Sequence, residues 1–329
     1  MGTTFNHDVV IIGAGPAGMC AAMYAGRSML DAVVLERGEP GGELLNTELI
    51  EDYPGFDHIL GRELAKKFHE HAEKFGAQFR QFVHVRSLRK REDGLFETRT
   101  EEGDVYLSPT AIITAGGTPV KLGVPGELEY AGRGVSYCAI CDGAFFRNQI
   151  IAVVGGGDAA TEEADFLTRY AEKVYLIHRR TELRSSKILQ QRLFANPKIE
   201  VLWNTVVEEV QADDQGLVNN LRIKNVETCE SGNLAATGLF VFIGFRPNTG
   251  IIEGHVKHDS MGYLVTDANM QSSIPGLFAA GDVRSQLTRQ VTTAVGDATT
   301  AAIAAEKYLK ALRDGGGVPT IEATGGYTA

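Results

Sequence analysis

Asp8-Val9-Val10-Ile11-Ile12-Gly13-Ala14-Gly15-Pro16-Ala17-Gly18 decides the fold of this chain. Its run of β-branched apolar residues predicts a short buried strand. The G-x-G-x-x-G that follows predicts a tight turn into a helix carrying Ala21, Ala22 and Ala25. Glycine lets the backbone turn sharply and approach a dinucleotide pyrophosphate, which then rests on the unpaired N–H groups of the helix N-terminus. A second strand, Ala32-Val33-Val34-Leu35, ends at Glu36, 23 positions beyond Gly13. A carboxylate at that offset accepts hydrogen bonds from an unphosphorylated ribose. The strand before, the helix after and the acid at this offset supply the context that a glycine pattern alone lacks.

The same arrangement recurs. Ile151-Ala152-Val153-Val154 leads into Gly155-Gly156-Gly157-Asp158-Ala159-Ala160, alanine being an accepted substitute for the third glycine. A helix from Thr161 to about Tyr170 and the strand Lys173-Val174-Tyr175-Leu176-Ile177 follow. Where the first copy has its acid stand His178, Arg179 and Arg180, with Arg184 nearby. A carboxylate repels a 2′-phosphate, whereas guanidinium forks bind one bidentately. The first site is therefore expected to take an unphosphorylated dinucleotide and the second NADP(H). A solvated strand end is the bland account of the arginines, and the matching register speaks against it.

The rest of the chain is arranged around these two copies. Gly41-Gly42-Glu43-Leu44 and Ile50 to Phe56 read as a long loop fit to lie along a cofactor, followed by a helix from Gly61 to Phe75. Alternating stretches at 79–85, 96–100 and 105–107 predict a small antiparallel sheet. Ala111 to Ile113 predicts a further buried strand entering the turn Ala115-Gly116-Gly117, and Pro119 to Pro125 a linker. Later strands are expected at 200–203, 217–226 and 238–243, with a second linker at Phe245 to Thr249. A buried strand from Leu277 ends at Gly281-Asp282, and a helix runs from Gln290 to about Leu312. The fold class that results is α/β, with two Rossmann-like three-layer domains. The second (119–247) is inserted into the first (1–118 and 248–329).

Composition narrows the function. The 329 residues are 43% hydrophobic and carry a formal net charge of −10, which argues against a nucleic-acid partner. The nearest approach to a basic run, Arg86 to Arg91, reads as solvated charge beside a strand. No segment is long and apolar enough to predict a membrane span, and the first residues carry neither a signal-peptide nor a myristoylation pattern. Four cysteines without a targeting signal fit a reducing cytoplasm.

Two of those cysteines lie together, just ahead of the second glycine loop, in Tyr137-Cys138-Ala139-Ile140-Cys141-Asp142-Gly143. A C-x-x-C pair is either a dithiol cycling with its disulfide or half of a zinc site. Zinc requires about four ligands, and no second close pair of Cys or His exists, so no metal is expected. A redox dithiol needs an electron source, and a nucleotide site on either side provides one. Cys20, on the first helix, reads as a buried inert thiol, and Cys229 as an exposed bystander in a polar loop.

With these motifs in this order, the chain resembles the low-molecular-weight, bacterial-type NADPH-dependent thioredoxin reductases. The likeness runs from Val9 to about Ala302 through GAGPAG, NTELIEDYPGF, GRGVSYCAICDG, VGGGDAATEEA, HRRTELR, IGFRPNT and AGDVRSQLTRQVTTA. It implies FAD on the first device, held by Gly13, Gly15, Pro16, Ala17, Gly18, Glu36, Gly42, Leu44, Asn46, Ala115, Gly116, Gly281, Asp282, Arg289, Gln290 and Val291. It implies NADPH on the inserted domain, held by Gly155, Gly157, Asp158, Ala159, Ala160, His178, Arg179, Arg180 and Arg184. Cys138 and Cys141 become the redox-active disulfide, Cys138 facing the incoming disulfide of a thioredoxin-like protein and Cys141 lying nearest the flavin. Asp142 is expected to move a proton as general acid and base, a role compatible with capping the next turn. The resemblance further implies a homodimer and an inserted domain that swivels between two states.

Thr288 departs from the pattern, standing where an aromatic often precedes the Arg-Gln pair. The glycine-rich tail places Tyr327 on a tether, from which it is expected either to reach the flavin or to take no part. Three other readings compete. A ferredoxin-dependent flavin reductase would lack the second glycine loop and the arginines, and a small-dithiol oxidase would dispense with NADPH. A nucleotide-sensing regulator would not need an acid behind a cysteine pair.

Overall fold

In the computed structural model, which describes residues 2–47 and 49–315, Val9–Ile12 is the middle strand of a five-stranded parallel sheet. The strands run in the order Leu277–Ala279, Thr110–Ile113, Val9–Ile12, Ala32–Leu35 and Gln78–Arg80, every adjacent pair parallel. The α-helices among the described residues are α1 (Pro16–Arg27), α2 (Gly61–Lys74), α3 (Ala139–Asp142), α4 (Asp158–Leu167), α5 (Lys187–Ala195) and α6 (Val291–Arg313). The chain forms two compact units, one up to Thr118 and from Arg246 onward, the other Pro119–Phe245.

In the first unit both faces of the parallel sheet are covered, which is why its strands read as continuous apolar runs. Val9, Ile11, Val34, Ile112 and Phe278 pack with the alanines of α1 and α6. Val10, Ile12, Val33, Leu35, Ala111 and Ile113 face Leu88, Phe96 and Tyr106 of a second, four-stranded sheet. That sheet orders Thr4–Asn6, Val105–Ser108, Phe96–Thr100 and Val85–Lys90. One alternation of side chains thus supplies two cores and three layers.

The stretch 79–85 is divided rather than forming one antiparallel strand. Gln78–Arg80 joins the parallel sheet, and antiparallel pairing resumes only at Val85–Lys90. Between them Phe82 adopts φ +58° and stands 64% exposed, a conformation no strand accommodates. All of the basic run but Arg91 lies on Val85–Lys90 itself, and Arg89 Nε donates at 2.7 Å to the buried Glu97 carboxylate on Phe96–Thr100, which also accepts Arg99 Nε of its own strand at 2.8 Å.

The inserted unit repeats the architecture. Its parallel sheet orders Val135–Ser136, Gly238–Phe242, Ile150–Gly155, Lys173–Ile177 and Ile199–Leu202. Ile151, Val153, Val174, Leu176 and Phe240 pack with Ala160, Ala164 and Leu167 of α4 and Leu193 of α5. The other face meets the antiparallel strands Thr205–Ala212, Val218–Asn225 and Ser231–Leu234 through Val207, Val210, Val218 and Leu221. Helix α5 and the strand Thr205–Ala212 carry weak periodicity and escape a reading of the sequence. Where the chain leaves each unit, a backbone bond closes that unit's own side. Asn248 N–H donates to Gly116 O at 3.0 Å, and Val120 N–H to Gly244 O at 2.9 Å.

Helices α1 and α6 meet through small residues. Ala21, Ala22, Ala25, Ala298, Ala301 and Ala305 are buried, and Ser28 Oγ donates to Glu306 Oε2 at 2.9 Å. Helices this closely apposed have no room for larger side chains. Ala301→Leu is expected to destabilise the protein by about 1–3 kcal/mol, read as a lower urea midpoint, whereas Met29→Gln on the exposed turn after α1 stays within about 0.5 kcal/mol.

Candidate active site

Each parallel sheet ends in a glycine loop, and sterics explain the glycines. In the first unit Gly13 has φ +102°, and a Cβ there would come within 2.6 Å of the Thr114 carbonyl oxygen. A Cβ on Gly18 would fall on the Gly13 carbonyl, so α1 is seated directly against the turn. Helix α1 starts at Pro16, with no side chain capping it and no acid in its first turn. Gly15 faces open space apart from Gly42, whose Cα lies 3.9 Å from its ideal Cβ position. This is a cradle of backbone donors suited to a pyrophosphate. Glu36 braces it, Oε2 accepting the Ala14 N–H at 2.6 Å and Oε1 the Gly38 N–H at 2.9 Å. Two further lone-pair positions on that carboxylate remain for a ribose.

Leu44 spends its side chain in a small core with Ile50, Ile59, Leu64 and Ala65, so only its backbone is available to a ligand. Asn46 Nδ2 donates to Glu43 at 3.3 Å. Ala115 O accepts Asn248 Nδ2 at 2.8 Å, and Gly116 takes φ +55° beside it. Arg289 stacks its guanidinium 4.2 Å from the Tyr263 ring centre. Gln290 donates its N–H to Thr293 Oγ1 at 3.1 Å and so starts α6 at Val291. Cys20 is buried, its thiol pushed up by desolvation, and Cys229 is exposed. Tyr327 lies outside the described residues.

Asp282 sits in the turn Gly281–Val283, after the strand Leu277–Ala279. Gly281, at φ +75°, gives its N–H to Asp297 Oδ2 at 3.2 Å, and Asp297 Oδ1 meets Arg284 Nη1 at 2.8 Å. This half-buried pair ties the turn to α6, and nothing in the sequence spacing announces it. Burial pushes Asp282 up to about 6; Arg289 opposes this, and the charges of Glu43 and Asp297 add to it.

The second loop has a different support. A Cβ on Gly155 would meet Ala160 Cβ and the Phe242 carbonyl, and one on Gly156 would enter the His178 ring. His178 is accordingly turned inward and buried, Nδ1 lying 2.7 Å from Gly155 O and Nε2 2.9 Å from Glu182 O. Both ring nitrogens are committed to backbone carbonyls, one of the glycine loop and one of the segment after Lys173–Ile177, which departs from the expectation that His178 contacts a phosphate. Asp158 likewise gives its carboxylate to the Ser186 N–H at 2.6 Å. Ala159 is exposed beside the open Gly157. Arg179, Arg180 and Arg184 are exposed and in no ion pair among the described residues.

Cys138 and Cys141 form a disulfide with Cα atoms 5.3 Å apart. Cys138 is the N-cap of α3 at the end of the strand Val135–Ser136, and its Sγ accepts the Cys141 N–H at 3.2 Å. Cys138 is half-buried and Cys141 exposed. Asp142 makes no capping bond to the turn Gly143–Phe146, so its carboxylate is not spent on the backbone there.

The raised Asp282 carboxyl has a stability consequence. The folded chain holds that proton more tightly than the unfolded chain, so this group's contribution to stability is fully present below about pH 4 and is lost as pH rises through about 6. Asp282→Asn is expected to stabilise the ligand-free protein by about 2 kcal/mol at pH 8 and to have no effect near pH 4, measured by urea unfolding at both pH values.

Comparison with known proteins agrees with this geometry. The family model described as pyridine nucleotide-disulphide oxidoreductase matches residues 7–298. The chain is 45% identical over 309 residues to a thioredoxin reductase of Listeria monocytogenes, spanning 94% of this chain and 95% of that one. It is 44% identical over 308 residues to that of Bacillus subtilis, spanning 94% and 96%. The crystal structure of Lactococcus lactis thioredoxin reductase in its FR conformation matches with a TM-score of 0.89 at 45% identity, over 92% of this chain and 99% of that one. Two parallel sheets with glycine loops, a redox-ready cysteine pair and these relatives converge: the chain belongs to the pyridine nucleotide-disulphide oxidoreductases, among the bacterial-type thioredoxin reductases.

Proposed function

We propose that the chain draws electrons from NADPH through FAD to Cys138–Cys141 and delivers them to the disulfide of thioredoxin or a thioredoxin-like protein. The observation that carries this reading is the Cys138–Cys141 disulfide, backed by Asp142, in the same unit as a glycine loop followed by three exposed arginines. Bound flavin supplies a hydride acceptor that passes two electrons on to a disulfide.

The chain's residues select and orient the nucleotides. Gly13, Gly15, Gly18 and the open end of α1 hold the flavin dinucleotide's pyrophosphate, and Glu36 holds its unphosphorylated ribose. Asp282, Arg289, Gln290 and Val291 line the flavin end of that site. In the inserted unit Gly155, Gly157 and Ala160 shape the second pyrophosphate cradle, with Asp158 and His178 bracing it from behind. Arg179, Arg180 and Arg184 hold the 2′-phosphate, which favours NADPH over a ferredoxin as donor.

At the exit, a Cys138 thiolate attacks the partner's disulfide and forms a mixed disulfide, releasing one partner sulfur as thiolate. Cys141 then attacks Cys138, which restores the internal disulfide and releases the second partner sulfur. Asp142 supplies protons to the leaving sulfurs. Phe145, 76% exposed just past the pair, offers apolar surface to a protein partner. A homodimer whose inserted unit swivels belongs to the same proposal and rests on the family resemblance.

Cys138→Ser is expected to abolish NADPH-dependent reduction of thioredoxin while anaerobic NADPH still bleaches the flavin's visible band; continued thioredoxin turnover would refute the exit mechanism. Arg179→Gln with Arg180→Gln is expected to raise the KM for NADPH by roughly tenfold or more per arginine, while the KM for NADH changes less than about threefold. Steady-state kinetics with both nucleotides check this, and equal losses for the two would remove the 2′-phosphate assignment.

A further inference from the structure

Just upstream of the redox pair lies a carboxylate for which the reaction as described has no use. Glu127 is 0% exposed, a position a carboxylate holds only when its oxygens are satisfied. Oε1 accepts the Leu122 N–H at 2.8 Å and the Tyr137 hydroxyl at 2.8 Å, and Oε2 accepts the Gly123 N–H at 2.6 Å. Lys121 places its ammonium 3.0 Å from the centre of the Tyr137 ring and offsets the buried charge. Tyr137 is thereby anchored at its far end, and burial followed by the Glu127 bond pushes its phenol up, so that it stays a donor.

Tyr137 is covalently joined to Cys138, and the residue before it holds the cysteine backbone directly. Ser136 is 4% exposed, and its Oγ both accepts the Cys138 N–H and donates to the Cys138 carbonyl, each at 3.1 Å. With backbone and neighbour so fixed, Cys138 is extended at φ −141° and ψ 104°, and its Sγ takes the Cys141 N–H. A disulfide sulfur is a weak acceptor, whereas a thiolate makes a charge-assisted bond roughly twice as strong as a neutral one. Adding two electrons from the flavin and one proton to the Cys138–Cys141 bond leaves one thiolate and one thiol. Whatever keeps that N–H on Cys138 Sγ therefore favours the reduced pair with its charge on Cys138.

We propose that Glu127, Tyr137 and Ser136 are positioning residues for the redox pair: they hold Cys138 so that its sulfur keeps the Cys141 N–H through reduction, and so set the disulfide's reduction equilibrium. The proposal rests on Cys138–Cys141 being the redox-active pair. It does not depend on which nucleotide or protein partner is used, so its test leaves both of them out.

Flavin-bound protein is equilibrated in dithiothreitol buffers of graded reduced-to-oxidised ratio, quenched in acid and alkylated, and the thiols are counted by mass. Tyr137→Phe, which removes one oxygen, is expected to shift the equilibrium about tenfold toward the disulfide. Ser136→Ala is expected to shift it in the same direction, and Ser136→Thr, which keeps the hydroxyl, to return it to within about twofold of the parent. A frame that merely supports the fold would change oxidised and reduced forms alike. An equilibrium unchanged in both Tyr137→Phe and Ser136→Ala, or displaced toward the dithiol, overturns the proposal. If Tyr137→Phe does not fold, the Ser136 pair decides by the same criterion. A pair that never exchanges with dithiothreitol in the parent protein would instead refute the underlying redox assignment.

Discussion

The absence of a side chain at Gly18 and Gly155 governs much of this molecule. At each position a single methyl group would collide with the chain itself, with the Gly13 carbonyl in one loop and with Phe242 O and Ala160 in the other. Because that space stays empty, a helix starts directly against the end of a buried parallel strand, and its first N–H groups open toward a ligand. The buried strands beneath, covered on both faces, make the seat rigid.

Charge then differentiates two sites of the same build. In the first, Glu36 ties the loop together and leaves lone pairs outward, which suits a ribose and repels a phosphate. In the second, the acid at hand is turned away: Asp158 is spent on the Ser186 N–H, and His178 is spent beneath the loop. The guanidinium groups of Arg179, Arg180 and Arg184 are left exposed beside it. Asp282 adds a third variation, a carboxyl held partly out of water in a turn that the Arg284–Asp297 pair fixes to α6. Its tendency to keep a proton follows from that burial.

The cysteine pair is held in a comparable way. An isolated C-x-x-C on a short loop has many conformations open to it, and reduction frees it further. Here the Cys138 backbone is bound at both polar groups by one serine hydroxyl, and its neighbour is anchored to a buried acid. The sulfur that must carry charge in the reduced state already faces an N–H in the oxidised one. Preorganisation of this kind lowers the reorganisation needed for each electron-transfer cycle.

Local pattern sufficed wherever the determinant was a short run of neighbours. The β-branched runs at Val9–Ile12 and Ile150–Gly155, the glycines behind them, the acid-to-arginine exchange and the cysteine spacing are all contiguous, so the sequence alone carried the α/β class, the repeated device and the redox pair. Other features needed residues far apart in the chain to meet. The division of 79–85 depends on which sheet each half can pair with. The inward turn of His178 depends on the hole left by Gly156, the Glu127–Tyr137 tie on the segment after Pro119 meeting the residue before Cys138, and the Arg284–Asp297 tie on α6 meeting the end of the turn Gly281–Val283. Hydrogen bonds and burial act through space rather than along the chain, so only the tertiary structure decided which polar residues would face a ligand and which would hold the site in shape.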